Sequence, residues 1–348
     1  MGLREYIIRR LLLFIPTILG VIILIFAVSQ LFTPEQRASL YVTSEKQLEK
    51  IDVIIQTYHL NESIFIQFKE WFWQVLQGNL GYSHIAKQGV LQAMLRKLPA
   101  TVELVMFSIP LTIILGIYLG VQSAVHRDKL VDHATRTAAI IGWSLPSFWL
   151  GIMLIAIFYL ALGWFPPERI GSEAYNYITL SGKWHTYTGL YTIDGLLNGQ
   201  LWITIDALRH LVLPTISLTT IQIALIVRVM RSSMLESLSK GYIVTARAKG
   251  LSQAEVINKH ARRNALIPTI TVSGLLTAGM LTGVTITETV FNIDGIGRWA
   301  AWSAGAGGSV PDIPGVLGFA MFAGIVYCIA NLIVDILYAY IDPRIRLG

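Results

Sequence analysis

Long apolar blocks alternate along the chain with polar stretches, and six of the blocks contain no Asp, Glu, Lys or Arg. They cover residues 11–32, 104–125, 137–165, 211–227, 265–287 and 313–334. A helix needs about 20 apolar residues to cross the hydrocarbon core of a bilayer, so each block predicts a transmembrane helix. The block at 211–227 is short, but Arg228 beyond it can snorkel and lengthen the span. A seventh block, 189–208, holds Asp194 and Asp206. Two carboxylates facing lipid would cost several kcal/mol, so this block predicts an amphipathic surface segment on the outside. The first block follows Arg4, Arg9 and Arg10, as a signal peptide would. It is longer than the core of about 7–15 residues typical of such peptides and predicts a retained helix.

The stretches between blocks carry their own signals. Ser44 and Gln47 have capping-box spacing, and Leu48, Ile51, Ile55 and Tyr58 follow at helical spacing. A second helix is predicted over 63–77, with Phe65, Phe68, Phe72 and Val75 on one side and Gly78 ending it. Trp71 and Trp73 suit a membrane interface. Residues 166–208 are rich in Tyr, Gly and Trp, and the glycines of 291–312 predict a tight, irregular loop. The expected fold is an all-α membrane protein. An N-terminal helix (1–32) and a folded external segment (33–98) precede a five-helix core (99–348).

Composition removes the soluble alternative. Of 348 residues, 54% are hydrophobic and 14% charged, against about 25% charged in soluble domains. The net charge of +6 is explained by its placement. With both termini on one side, the inner segments are 1–10, 126–136, 228–263 and 341–348. They hold 16 of the 27 Lys and Arg in 65 residues, and the other 11 spread over about twice that length. This is the positive-inside bias, so both termini are expected in the cytoplasm and no nucleic-acid partner is needed. The single cysteine, Cys328, excludes an intrachain disulfide. The nearest two of seven histidines are His126 and His133, so no metal site is expected.

Catalytic patterns are missing. A phosphate loop needs G-x-x-x-x-G-K-[ST], and the Gly182-Lys183 pair runs into Trp184. Gly142-Trp143-Ser144-Leu145-Pro146 lacks the second glycine of a nucleophile elbow. Glu103, Glu288 and Asp335 fall near span ends and are expected as structural pairs rather than substrate ligands. A gradient-driven transporter would carry midplane carboxylates or paired broken helices.

The loop at 228–263 is more telling. It has eight basic residues and only Glu236 and Glu255 as acids. Residues 241–250 read as a short helix ended by Gly250 in a left-handed turn. Ser252 and Glu255 form a capping box that starts another helix, running through Val256, Ile257, His260 and Ala261 into the fifth span. Two helices with a sharp corner make a knob suited to a partner's groove.

The residues Ala246-Arg247-Ala248-Lys249-Gly250-Leu251-Ser252, then His260-Ala261-Arg262-Arg263-Asn264-Ala265-Leu266-Ile267-Pro268, resemble the coupling loop of dipeptide/oligopeptide-class ABC-importer permeases. The likeness extends along the chain. It includes Arg9-Arg10-Leu11-Leu12-Leu13, Gly78-Asn79-Leu80-Gly81, Leu98-Pro99-Ala100-Thr101-Val102-Glu103-Leu104 and Ser144-Leu145-Pro146-Ser147-Phe148-Trp149. It continues with His210-Leu211-Val212-Leu213-Pro214, Arg231-Ser232-Ser233-Met234, Glu288-Thr289-Val290-Phe291 and Asp342-Pro343-Arg344-Ile345-Arg346. One departure is Val244, where the general permease motif begins with Glu; another is the length of 166–208.

The resemblance implies an inner-membrane permease subunit, not an enzyme, with no cofactor in this chain. ATP and Mg would be bound by two partner ATPases. A second homologous permease, different from this chain, would complete the pathway, and an extracytoplasmic solute-binding protein would deliver the solute. Tyr242, Thr245, Ala246, Arg247, Ala248, Lys249, Gly250, Leu251 and Ser252 would form the ATPase-coupling site. Ala246 would permit close approach, Gly250 the turn and Ser252 the cap, while Arg247 and Lys249 would face ATPase acids. Peptides are the expected solute, ahead of oligosaccharides or a metal such as nickel.

Overall fold

The computed structural model describes residues 3–341, and the apolar blocks lie in helices that mostly overrun them. The terminal motif at 342–346 lies outside the described residues. Among the described residues five helices are long and apolar enough to cross a bilayer: Ile7–Ser29, Val90–Val125, Leu201–Leu238, Gln253–Leu281 and Ile313–Leu337. A bent pair, Leu130–Ser144 and Ser147–Ala161, makes a sixth if it is one span.

The heart of the bundle is the pairing of Val90–Val125 with Leu201–Leu238. At 36 and 38 residues these helices are roughly 54 and 57 Å long, well beyond a hydrocarbon core of about 30 Å. Their approach depends on two glycines four residues apart. A Cβ on Gly116 would lie 2.5 Å from Cγ2 of Ile226, and one on Gly120 would lie 2.7 Å from Cβ of Met230. Small residues at this spacing let helices pack where lipid removes any hydrophobic drive. The first helix, Leu3–Ser29, packs against the last, Ile313–Ile341, and Arg10 pairs with Asp335 at 3.0 Å.

Four expectations change. The block at 137–165 is not one straight helix: it breaks between Ser144 and Ser147 and bends by 99°. Pro146 has no N–H to continue the ladder and pushes Leu145 into extended backbone (ψ 129°). The block at 265–287 ends as a helix at Leu281. Gly283 turns there with φ +114°, its backbone so close to Gly297 that no side chain fits. The segment 189–208 is not wholly a surface element, because Leu201 starts the long Leu201–Leu238 helix. Residues 291–312 are less irregular than expected, since Ile296–Ser303 is helical.

The predicted 33–98 segment holds short helices and a hairpin, and the long Val90–Val125 helix already begins inside it. Ser44 makes no side-chain cap; Thr43 instead donates its backbone N–H to Oε1 of Gln47 at 2.7 Å. A complete capping box occurs earlier, at Thr33 and Gln36. Lys50 separates Glu45–Leu48 from Ile51–Thr57, so no single helix forms there. Ile64–Leu76 matches the second predicted helix, with Gly78 left-handed beyond it. Phe68, Phe72 and Val75 pack inward with buried Trp71, but Phe65 and Trp73 are exposed. A two-residue hairpin, Tyr82–Ser83 with Gln88–Gly89, is the departure from all-helical structure among the described residues.

Candidate functional site

Two features stand out, an open cavity on the bundle and a corner at its basic end. The cavity, of about 780 Å³, opens between Leu201–Leu238 and Gln253–Leu281. Leu218 and Gln222 contribute from the first helix and Leu276 and Gly279 from the second. The breaks in the apolar blocks supply the rest: Ser147 just after the Pro146 bend, and Gly283 to Thr287 after the fifth span. None of the lining residues is charged. The wall is apolar, dotted with the Gln222 amide and the Ser147 hydroxyl. It offers a polar chain some hydrogen bonding without a fixed charge to trap it.

No substrate ligand was predicted from the sequence, and the cavity explains why. Its lining comes from three distant segments, and polar residues such as Gln222 inside the apolar blocks were its one mark in the sequence.

The charged residues near span ends are paired within the chain. Glu103, fully buried, accepts from Arg169 Nη2 at 2.7 Å and from the Thr192 N–H at 2.7 Å. Arg169 also stacks over the Tyr191 ring at 4.1 Å. Buried Glu288 accepts from Thr101 Oγ1 and from the Arg298 N–H, both at 2.6 Å. Asp194 gathers the Thr188 hydroxyl and two backbone N–H groups, and Asp206 accepts from the Gly171 N–H at 2.7 Å. These carboxylates clamp the 166–208 segment and the 291–312 loop onto the long helices.

At the opposite end, buried Asp132 takes a bidentate pair from Arg231, with Nε and Nη2 both at 2.7 Å. Ser123 and the Asp128 N–H complete its shell. Three helices are tied there: Val90–Val125, Leu130–Ser144 and Leu201–Leu238.

The corner hangs from this end. Gly241–Ala248 is helical, Gly250 turns with φ +77°, and Ser252 and Glu255 form a reciprocal capping box at 3.3 Å each way. The following turns, Val256–Ala261, widen into a π-helix before joining Arg262–Leu281. Ile243 and Ala246, three apart, are buried against Met230, Met234, Val256 and Ala261. Burying an Ile side chain is worth about 1.5–3 kcal/mol, so the short helix is fixed in place.

This changes the expected role of Ala246: the close approach it permits is to this chain's own core. Leu251 is half-buried against the same cluster. Tyr242, Val244, Thr245, Arg247, Ala248 and Lys249 form the exposed face, with Gly250 and Ser252 at the turn. Among the described residues neither Arg247 nor Lys249 has an acidic partner, whereas Lys240 pairs with Glu236 at 2.9 Å. That hydrogen bond holds the Lys240 ammonium above its ordinary pKa. No three His, Cys, Asp or Glu side chains among the described residues gather as a metal-binding group.

Several apolar spans, two of them flanking an open cavity, define a multi-pass membrane protein. Residues 112–347 match the model of the family described as binding-protein-dependent transport system inner membrane component, and the chain belongs to that family. It is 37% identical to the di/tripeptide transport system permease protein DppB of Pseudomonas aeruginosa, with 98% of each chain covered. It is 35% identical to the dipeptide transport system permease protein DppB of Escherichia coli K12, again over 98% of each. A probable D,D-dipeptide transport system permease protein of the same organism is 38% identical over 94% of each.

Proposed function

We propose that this chain is the permease subunit of an ATP-driven importer of short peptides. The observation that carries the reading is one of connectivity. The exposed basic corner joins Leu201–Leu238 directly to Gln253–Leu281, the two helices that line the cavity. A push on a rigid corner reaches both walls at once. This is rigid-body coupling of the kind that alternates two states across an interface.

In this reading the chain has six spans, the bent pair counting as the third, with both termini in the cytoplasm. Tyr242, Arg247 and Lys249 face a groove on a partner ATPase, and Gly250 and Ser252 set the corner's angle. Two ATPases, a second permease and an external binding protein complete the machine. The uncharged cavity wall suits peptides, whose side chains vary while their backbone amides do not. The relatives' di/tripeptide and dipeptide names support the same substrate class.

The test is a mild-detergent purification from the native membrane, with partners identified by mass, followed by reconstitution. Two ATPases and a second permease should copurify, and peptide uptake should require ATP and the binding protein. A chain that emerges alone and carries solute without ATP overturns the reading.

A further inference from the structure

Two adjoining hollows lie where Leu130–Ser144 packs on Leu201–Leu238, away from the central cavity. The first, of about 440 Å³, has Arg136 and Ile140 on one wall and Ala224 and Arg228 on the other. The second, of about 460 Å³, shares Ala139 and Val227 with it and reaches Leu115, Thr219 and Ile223, with no charged residue in its lining. Neither gap is loose packing. The two helices are fixed below it by Asp132–Arg231 and above it at Gly142, where a Cβ would lie 2.8 Å from the Thr220 carbonyl oxygen. The hollows are open grooves lined largely by apolar side chains, and covering apolar surface is favourable, which favours an occupant.

Charge identifies that occupant. Arg231 is committed to Asp132. Arg136 and Arg228 are exposed, and among the described residues neither has an ion pair or a hydrogen bond. Thr219 lies nine residues from Arg228, about 13 Å along the helix, deeper toward the middle of the span. Two free guanidiniums near the membrane surface, with an apolar hollow leading inward from them, complement a phosphate head with an acyl chain. Arginine suits phosphate oxygens, and basic pockets between membrane helices on the cytoplasmic side hold anionic headgroups.

We propose that these hollows bind one anionic phospholipid, its phosphate between Arg136 and Arg228 and one acyl chain in the hollow lined by Leu115, Thr219 and Ile223. The experiment uses the intact transporter complex, incubated with mixed phosphatidylglycerol and phosphatidylcholine and then stripped by detergent exchange. Lipid retained per complex is read by native mass spectrometry.

One phosphatidylglycerol per copy of this chain should remain, about tenfold preferred over phosphatidylcholine. Arg136→Gln with Arg228→Gln should abolish the preference. The charge-keeping pair Arg136→Lys and Arg228→Lys should retain it, as should Arg262→Gln, an arginine at the same end but outside the hollow. Ile223→Trp, which fills the apolar hollow and leaves both arginines, should also lose the lipid. Unchanged retention in the glutamine pair or in Ile223→Trp overturns the proposal. So does displacement of the lipid by millimolar inorganic phosphate, which would mark a free-anion site.

Discussion

Gly250 turns the basic corner through one backbone angle. Nothing lies within 4 Å of a Cβ built there, so a substitution meets no clash, and its whole cost is the left-handed φ of +77°. That cost is about 1–2 kcal/mol for an L-residue and more for a β-branched one. Gly250→Val should therefore abolish uptake while the chain still reaches the membrane in normal amount. Gly250→Asn, which tolerates this conformation, should keep most activity. Uptake in membrane vesicles checks both, and normal uptake by the valine variant would refute the corner's role. Asp132 makes a different kind of prediction. Asp132→Asn leaves Arg231, whose side chain is 21% exposed, without its anion and should destabilise the complex by about 2–3 kcal/mol. Arg10→Gln, which opens the less buried pair with Asp335, should cost less than Asp132→Asn; thermal unfolding of the detergent-solubilised complex separates the two. Gly250 and the Ser252–Glu255 box were legible in the sequence because each acts within a few residues. The Asp132–Arg231 pair was not, since its partners are 99 positions apart.

Among the elements, the glycines of the central helix pair decide most. Gly120→Val would drive a branched side chain against Met230. It should lower the amount of folded chain in the membrane, at a cost of about 1–3 kcal/mol or more. Gly20→Val, where nothing lies within 4 Å, should be tolerated; quantitative immunoblotting of membranes compares them. The helical spans were readable because a bilayer demands long apolar runs whatever the helices later touch. Breaks inside those runs were not readable from hydropathy. Residues 137–165 stay apolar straight through the 99° bend, and only Leu145-Pro146 betrays it. The same holds for Gly283, whose turn is imposed by contact with Gly297. The cavity is lined where those breaks fall, so it was hidden with them.

For the whole molecule the first matter is orientation. With Cys328→Ala as background, a cysteine introduced as Val244→Cys, 66% exposed on the corner, should react with an impermeant thiol reagent only in inside-out vesicles. One introduced as Leu180→Cys, 79% exposed on the opposite segment, should react only in intact cells. Labelling of both from one side would refute the proposed topology. The two ends of the bundle also differ in how they are fastened. Glu103, Asp194, Asp206 and Glu288 anchor the segments at one end through buried hydrogen bonds, whereas at the other Asp132 joins three helices through one ion pair and its shell. In a lever's terms, the proposed coupling makes the carboxylate-clamped end the fulcrum and the corner the handle. Under the proposed coupling, a small displacement at Gly241–Ala248 is carried up long arms that turn about a stiff rim, and the cavity between them widens or narrows while the rim holds its shape.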